Sequence, residues 1–135
     1  MNAVDTNVLI YVHDPRDRTK QAQATQLIGS IANGVLLWQV ACEYVGASRK
    51  LQAFGFSPQD AWNDLRRLRT LWNCILPAWN HHLRCEALMQ RHSLSFWDAL
   101  LIAAALEEGV QNLYSEDLAG AGKIPGIHII NPFGP

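Results

Sequence analysis

The segment Phe96–Glu107, opened by Ser95 and closed just before Gly109, is apolar around nearly its whole circumference. A helix without a polar face has to be enclosed by other elements, so this stretch predicts a central helix in a layered fold. It is not a membrane span. The longest apolar run, Ala99 to Leu106, falls far short of the roughly 20 residues needed to cross a bilayer.

Around this helix, short apolar runs alternate with helical periodicities. Asn2–Val4 starts a run that passes through Asp5-Thr6-Asn7 into Val8–Val12, and the polar triplet reads as a strand end and a helix cap. Lys20–Ile31 has helical spacing and ends at Asn33-Gly34. Val35–Trp38 predicts a strand, followed by a helix over Gln39–Leu51 with Val40, Tyr44, Ala47 and Leu51 on one stripe. Ser57-Pro58-Gln59-Asp60 is a helix start with Ser at the cap, and its helix is expected to carry Trp62, Leu65, Leu68 and Trp72 inward. A short strand around Ile75 and Leu76, an amphipathic helix over His81–Arg91, and strands at Asn112–Ser115 and Ile127–Ile130 complete the pattern. Such alternation predicts an α/β fold with a short, mostly parallel central sheet and helices on both faces, whose functional edge is the carboxyl end of the strands. The 135 residues fit one domain over 1–135.

Charge narrows the function. Eleven Lys and Arg against twelve Asp and Glu leave a formal charge of −1, which excludes a polybasic nucleic-acid binder held by net field. Eight of the eleven cations are Arg, mostly between Arg49 and Arg91, so a local phosphate-binding surface stays open. Cys42, Cys74 and Cys85 contain no C-x-x-C pair and read as buried thiols of a reducing compartment. With Asp5 where a signal peptide would be apolar, a cytoplasmic location is expected.

Four carboxylates fall where this fold gathers side chains. Asp5 follows the first strand, Glu43 lies in the opening turns of the helix after the second, Asp98 opens the central helix, and Asp117 follows the strand at Asn112–Ser115. An acid near a helix start gains only about 0.3–1 kcal/mol from the macrodipole, which explains any one of them. Asp98 also repeats the Ser-x-x-Asp pattern of Ser57 and Asp60, a capping pattern, but its i+3, i+4 and i+7 neighbours Leu101, Ile102 and Ala105 predict a buried face. Bringing carboxylates within about 4 Å of one another costs on the order of 4 kcal/mol per pair, so a cation is expected among them. Oxygen-only donors point to Mg²⁺ or Mn²⁺.

The segments Val4-Asp5-Thr6-Asn7-Val8-Leu9-Ile10, Gln39-Val40-x-x-Glu43-Tyr44, Ser95-Phe96-Trp97-Asp98-Ala99-Leu100-Leu101-Ile102-Ala103-Ala104 and Leu113-Tyr114-Ser115-Glu116-Asp117-Leu118, with Ile129-Ile130-Asn131-Pro132-Phe133 at the end, resemble the PIN-domain ribonucleases. In detail they resemble the VapC-type toxins of type II toxin–antitoxin pairs, over essentially the whole chain. The resemblance implies a three-layer α/β/α PIN-like fold and a metal-dependent endoribonuclease. It assigns catalysis and Mg²⁺ or Mn²⁺ binding to Asp5, Glu43, Asp98 and Asp117, and the orienting of carboxylates or substrate to Thr6, Asn7 and Ser115. It implies an RNA substrate, an antitoxin partner and a homodimer. Flanking phosphates would meet Arg49, Lys50, Arg66, Arg67, Arg69 or Arg84.

Two alternatives stand beside it: a noncatalytic receiver-like phosphoacceptor domain, and a housekeeping PIN nuclease without an antitoxin. The receiver is disfavoured because Asp5 is not one of an acidic pair and the only late lysine is Lys123. The histidines 13, 81, 82, 92 and 128 show no metal-binding spacing and are expected on the surface or in loops. The tryptophans read as core or interface residues, with Trp62 and Trp72 the candidates to line an RNA groove.

Overall fold

The computed structural model describes residues 1–118 and 122–134. Strand β1 (Asn2–Val4) leads into α1 (Thr6–Tyr11), then α2 (Arg18–Ser30), β2 (Gly34–Leu37) and α3 (Trp38–Ala47). A 3-10 helix (Ser48–Phe54), α4 (Pro58–Leu71), β3 (Asn73–Ile75), α5 (Trp79–Arg91), α6 (Phe96–Glu107), β4 (Asn112–Tyr114) and β5 (His128–Ile130) follow. The expected alternation is present. The predicted helix over Gln39–Leu51 tightens into the 3-10 helix at Ser48, where the Ser48 hydroxyl turns back to the Val45 carbonyl at 3.3 Å and competes with the backbone ladder.

All strand pairings are parallel, in the order β3-β2-β1-β4-β5. Crossovers between parallel strands are right-handed. The path β1 to β2 to β3 therefore stacks its helices on one face, and the return from β3 to β4 puts α5 and α6 on the other. The direction reverses between β1 and β4, and in an open α/β sheet such a reversal opens a crevice beyond the strand ends. A receiver-type sheet runs 2-1-3-4-5, which this sheet does not. Asp5 and Ser115 are the first residues beyond β1 and β4.

The sheet is short and wholly buried at its centre: β2 contributes Val35, Leu36 and Leu37, and β1 and β4 add Ala3, Val4 and Leu113. At Gly34 the indole of Trp72 fills the space where a side chain would stand. The glycine thus lets Trp72 close the end of the core. Trp62, in contrast, is turned outward at 45% exposure, because α4 buries only a narrow stripe through Ala61 and Leu68.

Helix α6 is less enclosed than its composition predicts. Ala99, Leu101, Ile102, Ala103 and Ala105 are buried, but Trp97 is 62% exposed, and Leu100 and Ala104 line an open groove of about 630 Å³ with Leu37, Trp38, Ile75 and His81. Of the cysteines Cys85 is buried and Cys42 exposed. Among the described residues no helix is long and apolar enough to cross a membrane.

Candidate functional site

Asp5 is the N-cap of α1, a position its extended backbone allows. Its Oδ1 accepts the Thr6 N–H at 2.7 Å and its Oδ2 accepts the Ser115 hydroxyl at 2.8 Å. The Ser115 oxygen itself accepts the Leu118 N–H at 3.1 Å and the Asn7 amide at 3.5 Å. Those donors fix where its single proton points: towards Asp5. Because β1 and β4 pair in register, with Val4 opposite Tyr114, the next residue on each strand falls beside the other.

The first turn of α1 carries the remaining links. The Thr6 hydroxyl donates to Glu43 Oε2 at 3.1 Å, and Asn7 Nδ2 donates to Asp117 Oδ2 at 3.3 Å while its Oδ1 accepts the Glu116 N–H at 3.3 Å. Three consecutive residues therefore reach two other parts of the chain, Asp5 and Asn7 the segment after β4 and Thr6 helix α3. Gln39, quoted in the sequence pattern but given no role there, donates from Nε2 to Glu43 Oε1 at 2.8 Å and to the Trp97 carbonyl at 3.0 Å. The i, i+4 spacing of Gln39 and Glu43 on one helix was the signal for it.

Asp5, Glu43 and Asp117 are close enough to repel. Burial raises the Asp5 carboxyl above its ordinary range; the Ser115 and Thr6 hydrogen bonds lower it, and the negative charges of Glu43 and Asp117 push it up again. Asp98 follows Trp97, whose carbonyl accepts from the Gln39 amide that also holds Glu43. The structure corrects its predicted burial: it is exposed, because side chains tilt toward a helix's N-terminus and an acid in the first turn projects past the end. Its backbone N–H bonds Ser95 Oγ at 3.3 Å. The resemblance to Asp60 stops there. The Asp60 carboxylate completes its capping box by accepting the Ser57 N–H at 2.9 Å, whereas no such return bond joins Asp98 to Ser95 among the described residues.

As the side chains stand, no three His, Cys, Asp or Glu groups among the described residues close into a metal cage. The donor chemistry nonetheless fits a hard divalent cation, which takes carboxylate oxygens. The ion pairs among the described residues join Lys20 to Glu116, Arg16 to Asp14, Arg67 to Asp64 and Arg84 to Glu107, with His13 on Asp64 and His81 on Glu108. None neutralises Asp5, Glu43, Asp98 or Asp117.

The candidate phosphate-binding cations do not gather at these acids. Arg67 is tied to Asp64 at 2.9 Å, and Arg84 to Glu107 at 2.9 Å, nine residues and about 14 Å along α6 from Asp98. Since α4 ends where β3 begins, Arg66, Arg67 and Arg69 lie toward the opposite edge of the sheet from Asp5. Arg49 and Lys50 are exposed on the 3-10 helix. Trp72 is buried and unavailable for stacking. His81, expected on the surface, is only 3% exposed: its Nδ1 accepts the Ala78 N–H at 3.3 Å and its Nε2 meets Glu108 at 2.9 Å, so it caps α5 and ties it to the end of α6.

The chain matches the PIN domain family over residues 3–119. No curated protein sequence matches it. Its fold is similar to that of a chain from a toxin–antitoxin complex of Klebsiella pneumoniae, with 20% identity, a TM-score of 0.74 and 98% of each chain covered. It is also similar to VapC20 of Mycobacterium tuberculosis, described as a sarcin-ricin loop cleaving toxin, with 18% identity, a TM-score of 0.70, and 92% of this chain and 97% of that one covered. A third likeness, at 13% identity and a TM-score of 0.68 over 95% and 96% of the two chains, is to VapBC2 from Rickettsia felis bound to a DNA fragment from their promoter. The chain belongs to the PIN domain family.

Proposed function

We propose that this PIN domain, one unit over residues 1–135, is a cytoplasmic metal-dependent endoribonuclease and the toxin of a type II toxin–antitoxin pair. The observation that carries the reading is Asp5, held between Ser115 and Thr6, facing Glu43 and Asp117, with no cation paired to the group among the described residues. Asp5, Glu43, Asp98 and Asp117 would hold a divalent cation, Mg²⁺ or Mn²⁺, which would supply an activated water and charge neutralisation at the phosphate in phosphodiester hydrolysis.

The chain's own residues prepare for that chemistry. Ser115 orients Asp5, Thr6 and Gln39 hold the two oxygens of Glu43, and Asn7 steadies Asp117. Such partners of metal-binding carboxylates typically matter at the 10–100-fold level. Arg49 and Lys50, exposed on the 3-10 helix, are the cations assigned to flanking RNA phosphates in this reading. The fold likeness to proteins from toxin–antitoxin complexes supports an antitoxin partner, and the open apolar face of α6 supports a homodimer.

The test is cleavage of structured RNA by the purified protein with Mn²⁺, with a chelator, and with the Asp5→Asn variant. Cleavage only in the first case is expected. Equal cleavage in the chelator, or by Asp5→Asn, overturns the assignment.

A further inference from the structure

Glu116 sits between two residues that face the acidic site, yet its own side chain turns away. Its carboxylate accepts Lys20 Nζ at 2.7 Å and the Tyr11 hydroxyl at 2.9 Å. Lys20 Nζ also meets the Tyr11 oxygen at 3.4 Å and lies 5.1 Å from the Tyr11 ring centre and 5.8 Å from that of Phe133. Phe133 packs edge-on to Tyr11 at 4.8 Å. The group thus draws together α2, the end of α1, the segment after β4 and the one after β5.

The segment Ser115–Asp117 is consequently held from two sides. From within, Asn7 accepts the Glu116 N–H and donates to Asp117 and Ser115. From behind, Lys20 and Tyr11 grip the Glu116 carboxylate, in a partly exposed pair with side-chain exposures of 32% and 25%. We propose that Glu116 is a positioning residue, clamped by Lys20 and Tyr11 so that Ser115 stays on Asp5 and Asp117 stays beside it, ready for a divalent cation. This rests on the reading of the acids as a cation site.

The clamp and simple electrostatics predict opposite signs for one substitution. Lys20→Met removes a positive charge near the acids, which by Coulomb's law alone tightens cation binding. Loss of the clamp weakens it. The experiment is Mn²⁺ titration of the full chain by calorimetry, alongside the Mn²⁺ dependence of RNA cleavage. Lys20→Met and Glu116→Gln are each expected to raise the Mn²⁺ dissociation constant about tenfold, the scale of supporting contacts at metal sites. The double variant should be no worse than either single one, since both act through one contact. Lys20→Arg should restore binding to within about twofold, and kcat at saturating Mn²⁺ should stay within about twofold of the parent in every case.

Unchanged or tighter binding in folded Lys20→Met overturns the clamp while leaving the cation site standing. Absence of Mn²⁺ binding by the parent protein overturns both. Should Lys20→Met fail to fold, Tyr11→Phe carries the same test without a change of charge, expected at about threefold weaker binding and refuted by none.

Discussion

Asp5 and Asp64 are both largely buried aspartates, and their surroundings drive them in opposite directions. Burial raises the carboxyl pKa of each. At Asp64 that push is overcome by hydrogen bonds from His13 at 3.2 Å, Tyr44 at 2.7 Å and Arg67 at 2.9 Å, which bring it down to about 2. The His13 ring also stacks on Phe56 at 4.2 Å, so this group joins the turn after α1, helices α3 and α4, and the loop before α4. Asp5 has two hydrogen bonds and two acidic neighbours, and its pKa stays raised. Arg67, Tyr44 and His13 compensate Asp64, whereas no ion pair among the described residues reaches Asp5. On the proposed reading, the difference separates a carboxylate that holds the fold from one that serves the site.

The sharpest way to break this contrast is to neutralise each acid in turn. Asp5→Asn keeps the shape and one acceptor oxygen, for the Thr6 N–H, but removes the charge and turns an amide NH₂ toward Ser115. RNA cleavage is expected to fall at least about a hundredfold, with a melting temperature no lower than the parent's. Asp64→Asn should do the reverse, costing about 2–3 kcal/mol of stability through its charged hydrogen bonds while cleavage well below the melting temperature stays within about twofold. Denaturant unfolding and a cleavage assay on both proteins decide it. Activity loss in Asp64→Asn, or unfolding in Asp5→Asn, would erase the distinction.

Acid titration sharpens the same comparison. The folded pKa of Asp64 lies below the unfolded value of 3.8, so its contribution is fully present above that value and is lost as pH falls through about 2. A shift of that size corresponds to about 2 kcal/mol. Asp5 has the opposite sign: its folded pKa is raised, so stability declines as pH rises from 3.8 through the raised value. Unfolding free energies from pH 2 to 7 should therefore show an acid-side loss that disappears in Asp64→Asn, and a shallow high-side loss that disappears in Asp5→Asn. Coincident profiles for the two variants would contradict both assignments.

Much of this was legible in the chain. Ser57, Pro58 and Asp60 announce α4, and its capping box is complete, with bonds of 3.1 and 2.9 Å. The position beyond β1 marks Asp5 because a parallel sheet delivers strand ends to one edge, while Ser115, read as the last residue of a strand, is marked only by the family resemblance. What stayed hidden came from contacts distant in sequence. Nothing local marks His13, Tyr44 and Asp64 as one network, or Lys20 as the partner of Glu116, since these pairs are far apart in sequence and meet only through the tertiary fold. Asp98 was misread as buried because periodicity reports the face of a helix and not the end from which a side chain projects. The apolar circumference of α6 likewise predicted enclosure, where the structure leaves Trp97 beside an open groove.

Asp60 and Asp98 form a second, smaller pair. Asp60→Asn is expected to cost up to about 1 kcal/mol of stability and no activity, because its carboxylate is engaged at Ser57. Asp98→Asn should leave stability within about 0.5 kcal/mol and lower cleavage more than tenfold. Equal activity in the two variants removes Asp98 from the site. The smallest effect concerns RNA affinity: Arg49→Gln with Lys50→Gln should reduce the salt slope of binding by about 1–2, and Arg66→Gln with Arg69→Gln should change it less. The reverse order would move the RNA path to α4.

The central claim is that the charge around Asp5 awaits a divalent cation, and Mn²⁺ titration of thermal stability at neutral pH tests it without reference to substrate. For the parent protein, stability should rise with Mn²⁺ and reach about 2.7 kcal/mol at a hundredfold excess over Kd, while Asp5→Asn gains little and Asp64→Asn gains as much as the parent. A flat response in the parent, or an equal gain in Asp5→Asn, would contradict the account.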